Sequence, residues 1–582
     1  MRRMKTTPQS LIFPLNIYAE LLELAFGHVD FLSYGTQAEP DLSVTGAQQA
    51  MAARLLAMLE PAPGATVLDI GCGTGALAYE LDRAGYQVTA IDVSEQAISA
   101  ARRRFCEHDT ASAALPRLVL ADLQNYETDE CFDVLVLQNS ARYLSPLTVF
   151  AHARRLLKAG GQLLILEEFT GDDSVQAPEP LPVLSHVLHM AGRAGFELTQ
   201  HHDVSSSVAR WLEHCLPLFD QHLVALAQRT GLSTDQLLAL RQSMADDLAK
   251  CQRGRYIHAL LAFRMDACDV TLLPAELMPA ERFQVLFERS FDTGFDASLW
   301  HWKYGDGRGH SVVACKRGEA VAHYGGISRD ILYFGRPARA LQICDVMVLP
   351  QHRSFYSKRS LFFITAATML ELHAGNTAEH LLGFGFPNIK AMHVAQRLGL
   401  YGKTDELLAL SYPADGEPAA GAWTVAQAGP EVDSGGLTDA LWQRMAPAFA
   451  DDIIGIRDAA YLHYRYAQRP GLDYHVLVLT HPSGSHAIAV TRDHGEHRLI
   501  MDVVASADDL PQVLIALSQH GHDTGRPMVL WLSAGQLHRV RTASLHVEPT
   551  GIHIPCNAWT QGPAAETLQG KWWLTAGDMD FM

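Results

Sequence analysis

The sequence predicts an α/β protein: a doubly wound parallel sheet with a helical cap, followed by a mixed α+β region built as a tandem pair. Three observations predict it. Strand and helix patterns alternate from residue 64 to about 170, a glycine-rich turn joins the first strand to its helix, and beyond Asp269 strands come in adjacent pairs. A chain of 582 residues also asks for several domains. The patterns divide it into a helical cap at 1–60, a parallel-sheet domain at 61–268 with a helical insertion at 181–250, a mixed unit at 280–412, a linker at 413–436 and a second, degenerate mixed unit at 437–582.

Each element has a local reason. Apolar residues at helical spacing in IYAELLELAF and AQQAMAARLLAMLE predict two cap helices, the first over 15–26, joined by the Gly/Pro-bearing loop FLSYGTQAEPDLSV. From residue 64, ATVLDIGCGTGALAYELDRAG reads as strand, glycine turn and helix. The strand QVTAIDV, the helix EQAISAARRRF and the strands RLVLAD, FDVLVLQ and QLLILEEF continue the alternation. YIHALLAFRM is expected to close the sheet edge. The later region reads as SVVACKRG and EAVAHYGGIS in a pair, then LQICDVMVLP, a helix LFFITAATMLELHAG, the strand LLGFGFP and a helix KAMHVAQRLGL. A similar order returns in DYHVLVLT, SHAIAVT, RLIMDVV, DLPQVLIALSQHG and PMVLWLS. The segment between, rich in Pro, Gly and Ala, is the expected linker.

Composition excludes several classes. With 48% hydrophobic and 19% charged residues the chain can bury a core, and a formal charge of −18 repels polyphosphate, so no nucleic-acid partner is expected. Nine scattered cysteines without a CxxC pair fit reduced thiols. No run is long and apolar enough for a membrane span, which together with the thiols predicts a cytoplasmic protein without a membrane partner.

The most specific motif is VLDIGCGTG, residues 67–75, where a strand ends and a helix begins. Gly71, Gly73 and Gly75 let backbone approach a ligand at the helix N-terminus. The same spacing satisfies the looser pattern of NAD-binding domains. Asp69 speaks against that reading, because a carboxylate there suits a cationic ligand better than pyrophosphate. Asp92 ends the second strand, placed to accept from ribose hydroxyls, and Asp122 follows the third, placed to accept from an adenine amino group.

These residues resemble the class I S-adenosylmethionine-dependent methyltransferase family, over roughly residues 30–267. The resemblance implies S-adenosyl-L-methionine as cofactor, with Asp69, Gly71, Gly73 and Gly75 beside methionine and ribose, Asp92 and Val93 at the ribose, and Asp122 and Leu123 at adenine. FLSYG resembles the N-terminal cap of small-molecule methyltransferases, which implies that Tyr34 and Tyr18 touch cofactor or substrate. QNSARYL then puts Asn139, Ser140, Arg142 and Tyr143 at the mouth, with Asn139 the candidate catalytic residue. Methyl transfer from a sulfonium requires mainly an in-line acceptor, so a missing general base does not exclude it. The pairs His186/His189 and His201/His202 are expected by chance among 28 histidines, and no metal is predicted.

The segment DVMVLPQHRSFYSKRSLFF, with FGFPNIKAMHVAQRLGLY, resembles the GCN5-related N-acetyltransferase (GNAT) superfamily. Val346, Val348, Pro350 and Arg353 match its first block, and Asn388, Ala391, Met392, Leu398 and Gly399 its second. The glycine positions hold Ser354, Tyr356 and Lys358 instead, and Ala395 stands where the family often has an acidic Tyr. The resemblance implies acetyl-CoA or another acyl-CoA at Val348, Arg353, Ser354, Lys358 and Asn388, with His393, Tyr401 and His352 as replacement acids. RDAAYLHYRYAQRPGLDY looks like the packing segment of tandem GNAT-like proteins.

The sequence therefore predicts a bifunctional biosynthetic transferase: a methyltransferase acting on a small molecule or carrier-bound intermediate, fused to an acyl-CoA-dependent N-acyltransferase. Its partners would be a small-molecule substrate or an acyl carrier protein. The alternative keeps an active methyltransferase beside a non-acetylating half that binds CoA or an acyl carrier protein, or decarboxylates a malonyl group. An NAD-dependent oxidoreductase is a third reading, opposed by Asp69 and Asp122.

Overall fold

Apolar residues fill both faces of the strand Thr66–Ile70, with Val67 and Leu68 wholly buried, as a central parallel strand requires. It belongs to the first of two units, which divide between Leu273 and Pro274 in the computed structural model. The structure describes residues 14–27, 31–36, 43–107, 116–171, 181–266, 269–291, 293–354, 357–376, 378–412, 423–428, 436–542 and 544–580.

The strands of the first unit are β1 (Thr66–Ile70), β2 (Gln87–Asp92), β3 (Arg117–Leu120), β4 (Phe132–Gln138), β5 (Leu157–Thr170), β6 (Phe196–Asp203) and β7 (Tyr256–Met265). Their order is β3-β2-β1-β4-β5-β7-β6. The first five run parallel, with helices Ala76–Arg83, Glu95–Glu107 and Pro146–Leu156 in the crossovers, whereas β7 is antiparallel to both neighbours. The doubly wound sheet is as expected, but its edge is not. β7 lies inside and β6 forms the rim, within the stretch read as a helical insertion. Most β6 residues are exposed, so FELTQHHD lacks the apolar alternation that marks a half-buried strand. Helices Leu184–Arg193, Ser205–Thr230 and Thr234–Gln252 make up the rest of that insertion.

The cap helices form at Leu15–Phe26 and Val44–Leu56, the second capped by Ser43 Oγ accepting from the Gly46 amide at 3.0 Å. They do more than cover the sheet. Ile17, Leu21, Met51 and Leu55 are buried in one cluster with Val208, Trp211 and Phe219 of the long helix and with Val67 and Val134 of the sheet.

In the second unit a set of elements occurs twice: three antiparallel strands, a helix and a fourth strand parallel to the third. The first set is Gly309–Lys316, Glu319–Tyr333, Arg336–Val348, helix Leu361–His373 and Leu382–Phe384. The second is His475–Thr480, His486–His494, His497–Val504, helix Leu510–Asp523 and Met528–Ser533. The strand Tyr401–Ser411 joins them by pairing with Met528–Ser533.

The expected division into 280–412, a linker and 437–582 is not what forms. The strand His546–Asn557, near the end of the chain, inserts between Leu382–Phe384 and Tyr401–Ser411 and completes the first set. One sheet thus runs through both sets, and residues 274–580 make a single unit. Within the expected linker, Thr424–Ala428 is a strand on the rim beside His475–Thr480, and residues 413–422 and 429–435 lie outside the described residues.

Among the described residues no helix is long and apolar enough to cross a membrane.

Candidate functional site

The turn after β1 owes its shape to two glycines. Gly71 has φ +74°, and a Cβ there would stand 2.6 Å from Ser140 Cβ, so only Gly lets the β1 turn meet the β4 turn. Gly75, also at φ +74°, starts helix Ala76–Arg83, and a Cβ would stand 2.7 Å from Ala101 Cβ on the next helix. Between them the Gly73 amide donates to Asp92 Oδ2 at 2.9 Å, and the Ser94 amide to Asp92 Oδ1 at 2.8 Å. The carboxylate ending β2 thereby holds the glycine turn. It also lines a cavity of about 520 Å³ at the carboxyl ends of β1, β2 and β4.

Gly71, Gly73, Asp92, Val93, Asp122, Leu123 and Asn139 all line this cavity. Asp122 uses Oδ1 to accept from the Gln124 amide at 3.0 Å. Val93 is 51% exposed, an unusual state for an apolar residue at a strand end, and offers a flat ligand face a place to lie. Asn139 has φ +54°, and its Oδ1 and Nδ2 are both buried without a hydrogen-bond partner. A buried unpaired amide is costly, which fits a site that supplies the missing partners when filled. These groups fit an adenosine-bearing cofactor.

Four expected residues sit elsewhere. Gly75 serves helix packing. Asp69 is buried behind the turn, where its carboxylate accepts from the Ala78 amide and keeps Oδ2 unpartnered. Burial and the nearby Asp92 push its pKa up to about 7. Tyr34 is packed edge-on against Trp211 and His258, because the long helix Ser205–Thr230 draws the FLSYG segment into the core. Its neighbour Ser33 lines the cavity instead, accepting from Gln138 Nε2 at 2.8 Å. Tyr18 packs against the same core.

Behind Ser33 lies a charged cluster that motif reading missed. Arg142 pairs with Glu167 at 2.5 Å and with Glu168 at 3.1 Å, and Tyr34 donates to Glu168 Oε2 at 3.3 Å. His258 Nε2 stands 3.5 Å from Glu168 Oε1, and burial pushes the imidazole down to about 3, so it is neutral. Burial raises Glu168 despite Arg142. The signal in the sequence is Glu167-Glu168, two acids inside the otherwise apolar strand QLLILEEF.

In the second unit a cavity of about 720 Å³ opens where two parallel strands part. Arg336–Val348 and Leu382–Phe384 pair only from Ala340 to Gln342. Beyond that point Ile343 to Val346 on one side and Gly385 to Asn388 on the other face the space, with Phe287, Trp300 and Phe362 as aromatic walls. At its floor Lys303 Nζ lies 3.0 Å from Asp345 and 2.8 Å from Asp580, and Tyr304 donates to Asp345 at 2.8 Å. Burial works against the charge on Lys303, but the two carboxylates hold its pKa above the usual range.

The predicted acyl-CoA residues divide. Asn388 lines the cavity and caps helix Ile389–Arg397, its Oδ1 accepting from the Ala391 amide at 3.0 Å. Tyr401 lines it too, its hydroxyl 2.9 Å from that of Tyr324. Val348, Arg353, Ser354 and Lys358 do not line it. Val348 is buried, and its carbonyl accepts from Arg353 Nε at 2.9 Å, while Ser354 is exposed. Lys358 lies over the rings of Trp559 and Phe363. His393 is exposed, because Met392 and Ala395 take the inward face of its helix, and so it is not placed to act in this cavity. His352 does not line the cavity either, and Tyr356 lies outside the described residues.

Comparison with known proteins bears on the first unit. Residues 67–161 match the family model described as a methyltransferase domain. The ubiquinone biosynthesis O-methyltransferase of Xanthomonas axonopodis pv. citri (strain 306) is 33% identical over 113 residues, 19% of this chain and 45% of that protein. The demethylmenaquinone methyltransferase of Tropheryma whipplei (strain Twist) is 31% identical over 158 residues, 27% of this chain and 64% of that protein. The chain thus spans about half to two thirds of the length of these curated relatives. Among solved structures, the cyclopropane synthase MmaA2 from Mycobacterium tuberculosis has a TM-score of 0.36 at 19% identity, covering 40% of this chain and 89% of that one. The [4+2]-cyclase SpnF has a TM-score of 0.37 at 20% identity, covering 43% and 93%. By sequence, then, the glycine turn and the strands that flank it, residues 67–161, are similar to a methyltransferase domain.

Proposed function

We propose that the first unit is an S-adenosyl-L-methionine-dependent methyltransferase acting on a small molecule or a carrier-bound intermediate. The observation that carries this reading is the set of polar groups around one cavity: the Asp92 and Asp122 carboxylates and the unpartnered Asn139 amide. When bound, the cofactor supplies an electrophilic methyl group on a sulfonium. The protein's part is to fix that group and the acceptor in line. Asp92 accepts from ribose hydroxyls while tying down the glycine turn, Asp122 accepts from the adenine edge, and Asn139 orients the polar end near the mouth. Tyr34, the neighbour of the cavity-lining Ser33, donates to Glu168 of the Arg142, Glu167 and Glu168 cluster, whose carboxylates are the candidates to take up an acceptor proton. Ubiquinone precursors and demethylmenaquinone, which the names of the relatives point to, are the first acceptors to screen.

Calorimetry with S-adenosyl-L-methionine tests this: one molecule binds per chain, while NADH does not bind. Retention of NADH alone overturns the reading. Affinity should also rise with pH. A bound cation favours ionised Asp69, whose pKa near 7 leaves it largely protonated below that value, so binding weakens by up to about fivefold as pH falls from 7 to 6. An affinity independent of pH across 6–8 would show that Asp69 does not sense the cation.

For the second unit we propose that the cavity between the parting strands takes an acyl-CoA or the acylated arm of a carrier protein, as a GNAT-type N-acyltransferase does. The parting of Arg336–Val348 from Leu382–Phe384 favours it, since it leaves backbone groups facing a ligand-sized space. Tyr401 is then the acid that protonates a leaving thiolate, in place of His393. Acetyl-CoA should bind the full chain, and Tyr401→Phe should lower turnover of an amine screen at least tenfold with acetyl-CoA affinity unchanged. Binding without turnover by the wild type would favour the non-acetylating alternative.

A further inference from the structure

Three histidines meet at one end of the first strand set of the second unit. His310 is the second residue of the strand Gly309–Lys316, His373 ends helix Leu361–His373, and His380 lies two residues before the strand Leu382–Phe384. The rings of His310 and His373 stack at 4.1 Å, and the His380 ring stands at 5.5 Å from that of His310. Glu379 completes the group from the residue next to His380.

We propose that His310, Glu379 and His380 form a binding site for one first-row divalent cation, Zn²⁺ foremost. One donor atom of each lies within 4.8 Å of the other two, and His310 Nε2 is 3.7 Å from Glu379 Oε2. A tetrahedral zinc site with bonds of 2.0–2.2 Å spaces its ligands by about 3.4 Å. Side-chain rotations of about an ångström therefore close the set.

The surroundings already orient the donors. His380 Nδ1 is 2.8 Å from the carbonyl of His373; it donates there, which leaves the lone pair on Nε2. Arg339 pairs with Glu379 Oε1 and leaves Oε2 for His310. His310 Nε2 is buried without a hydrogen-bond partner, a cost that a metal bond removes. The Ser328 hydroxyl, 2.8 Å from His380 Nε2, is the contact the ion replaces. Two nitrogens and one carboxylate select Zn²⁺ or a neighbouring transition ion over Ca²⁺ and Mg²⁺, which take oxygen ligands. None of the three residues lines the 720 Å³ cavity, so the site is separate from it. The ion would clip the start of one strand to the segment leading into another.

The test uses the full chain, freed of any tag, stripped with EDTA and titrated with ZnCl₂ by calorimetry, with bound metal counted by mass spectrometry. One Zn²⁺ per chain is expected, with a higher melting temperature on loading. Glu379→Gln, whose half-exposed side chain can change without disturbing the core, and His310→Ala should each weaken binding at least tenfold. His494→Ala, at an exposed hairpin end, should bind as the wild type does. Co²⁺ should give the visible absorption of a four-coordinate site in the wild type and lose it in His310→Ala. A wild type that binds no Zn²⁺, or binds it no better than the folded His310→Ala/Glu379→Gln double variant, overturns the proposal.

Discussion

Replacing Asp92 by Ala is expected to weaken S-adenosyl-L-methionine binding at least 100-fold, about 3 kcal/mol. Two losses combine. In the proposed reading the carboxylate accepts from ribose hydroxyls, and it also takes the amides of Gly73 at 2.9 Å and Ser94 at 2.8 Å. Hydrogen bonds to a charged group contribute about 1.5–3 kcal/mol each, so an apolar side chain both removes the ligand contact and frees the glycine turn. Asp92→Asn should fall between, because its amide oxygen still accepts one backbone bond. Calorimetry with the cofactor or its demethylated product, alongside circular dichroism, reads both variants. Full affinity in the folded Asp92→Ala protein would remove Asp92 from the site.

The largest loss of stability should come from Arg457→Met in the second unit, about 3–5 kcal/mol. Arg457 is wholly buried; its Nε donates to Asp502 at 2.7 Å and its Nη2 to Asp578 at 2.7 Å, and both carboxylates are buried as well. Arg329 also pairs with Asp578, at 2.8 Å, but nothing else of opposite charge pairs with Asp502 among the described contacts. Removing the guanidinium leaves that carboxylate charged in a poor solvent, or forces it to take a proton. Arg526→Met, which breaks an exposed pair with Asp493, should cost less than about 1 kcal/mol. Urea unfolding followed by tryptophan fluorescence compares the two. Equal, small shifts would show that the network does not hold the unit together.

The first unit was the more legible in the sequence, and the reason is range. β1, its glycine turn and β2 are close along the chain, so VLDIGCGTG and the strand-ending Asp92 could be read from local pattern. β6 escaped because an edge strand with mostly exposed residues has no apolar rhythm. His393 and Tyr34 were misplaced for a different cause. A motif names Tyr34 and proximity to one names His393, whereas the direction of each side chain depends on which face of a helix or loop a distant element covers. The long helix Ser205–Thr230 covers Tyr34, and the sheet takes Met392 and Ala395 rather than His393.

The amino-acid sequence by itself determined the parallel alternation of the first unit, the glycine turn and the acids at successive strand ends, since these follow from backbone geometry within a few residues. Only the tertiary structure decided that His546–Asn557 completes a sheet begun more than two hundred residues earlier, that Glu167 and Glu168 meet Arg142, and that three histidines converge. Such pairings are set by loop closure and by burial against distant elements, and neither leaves a local mark on the chain.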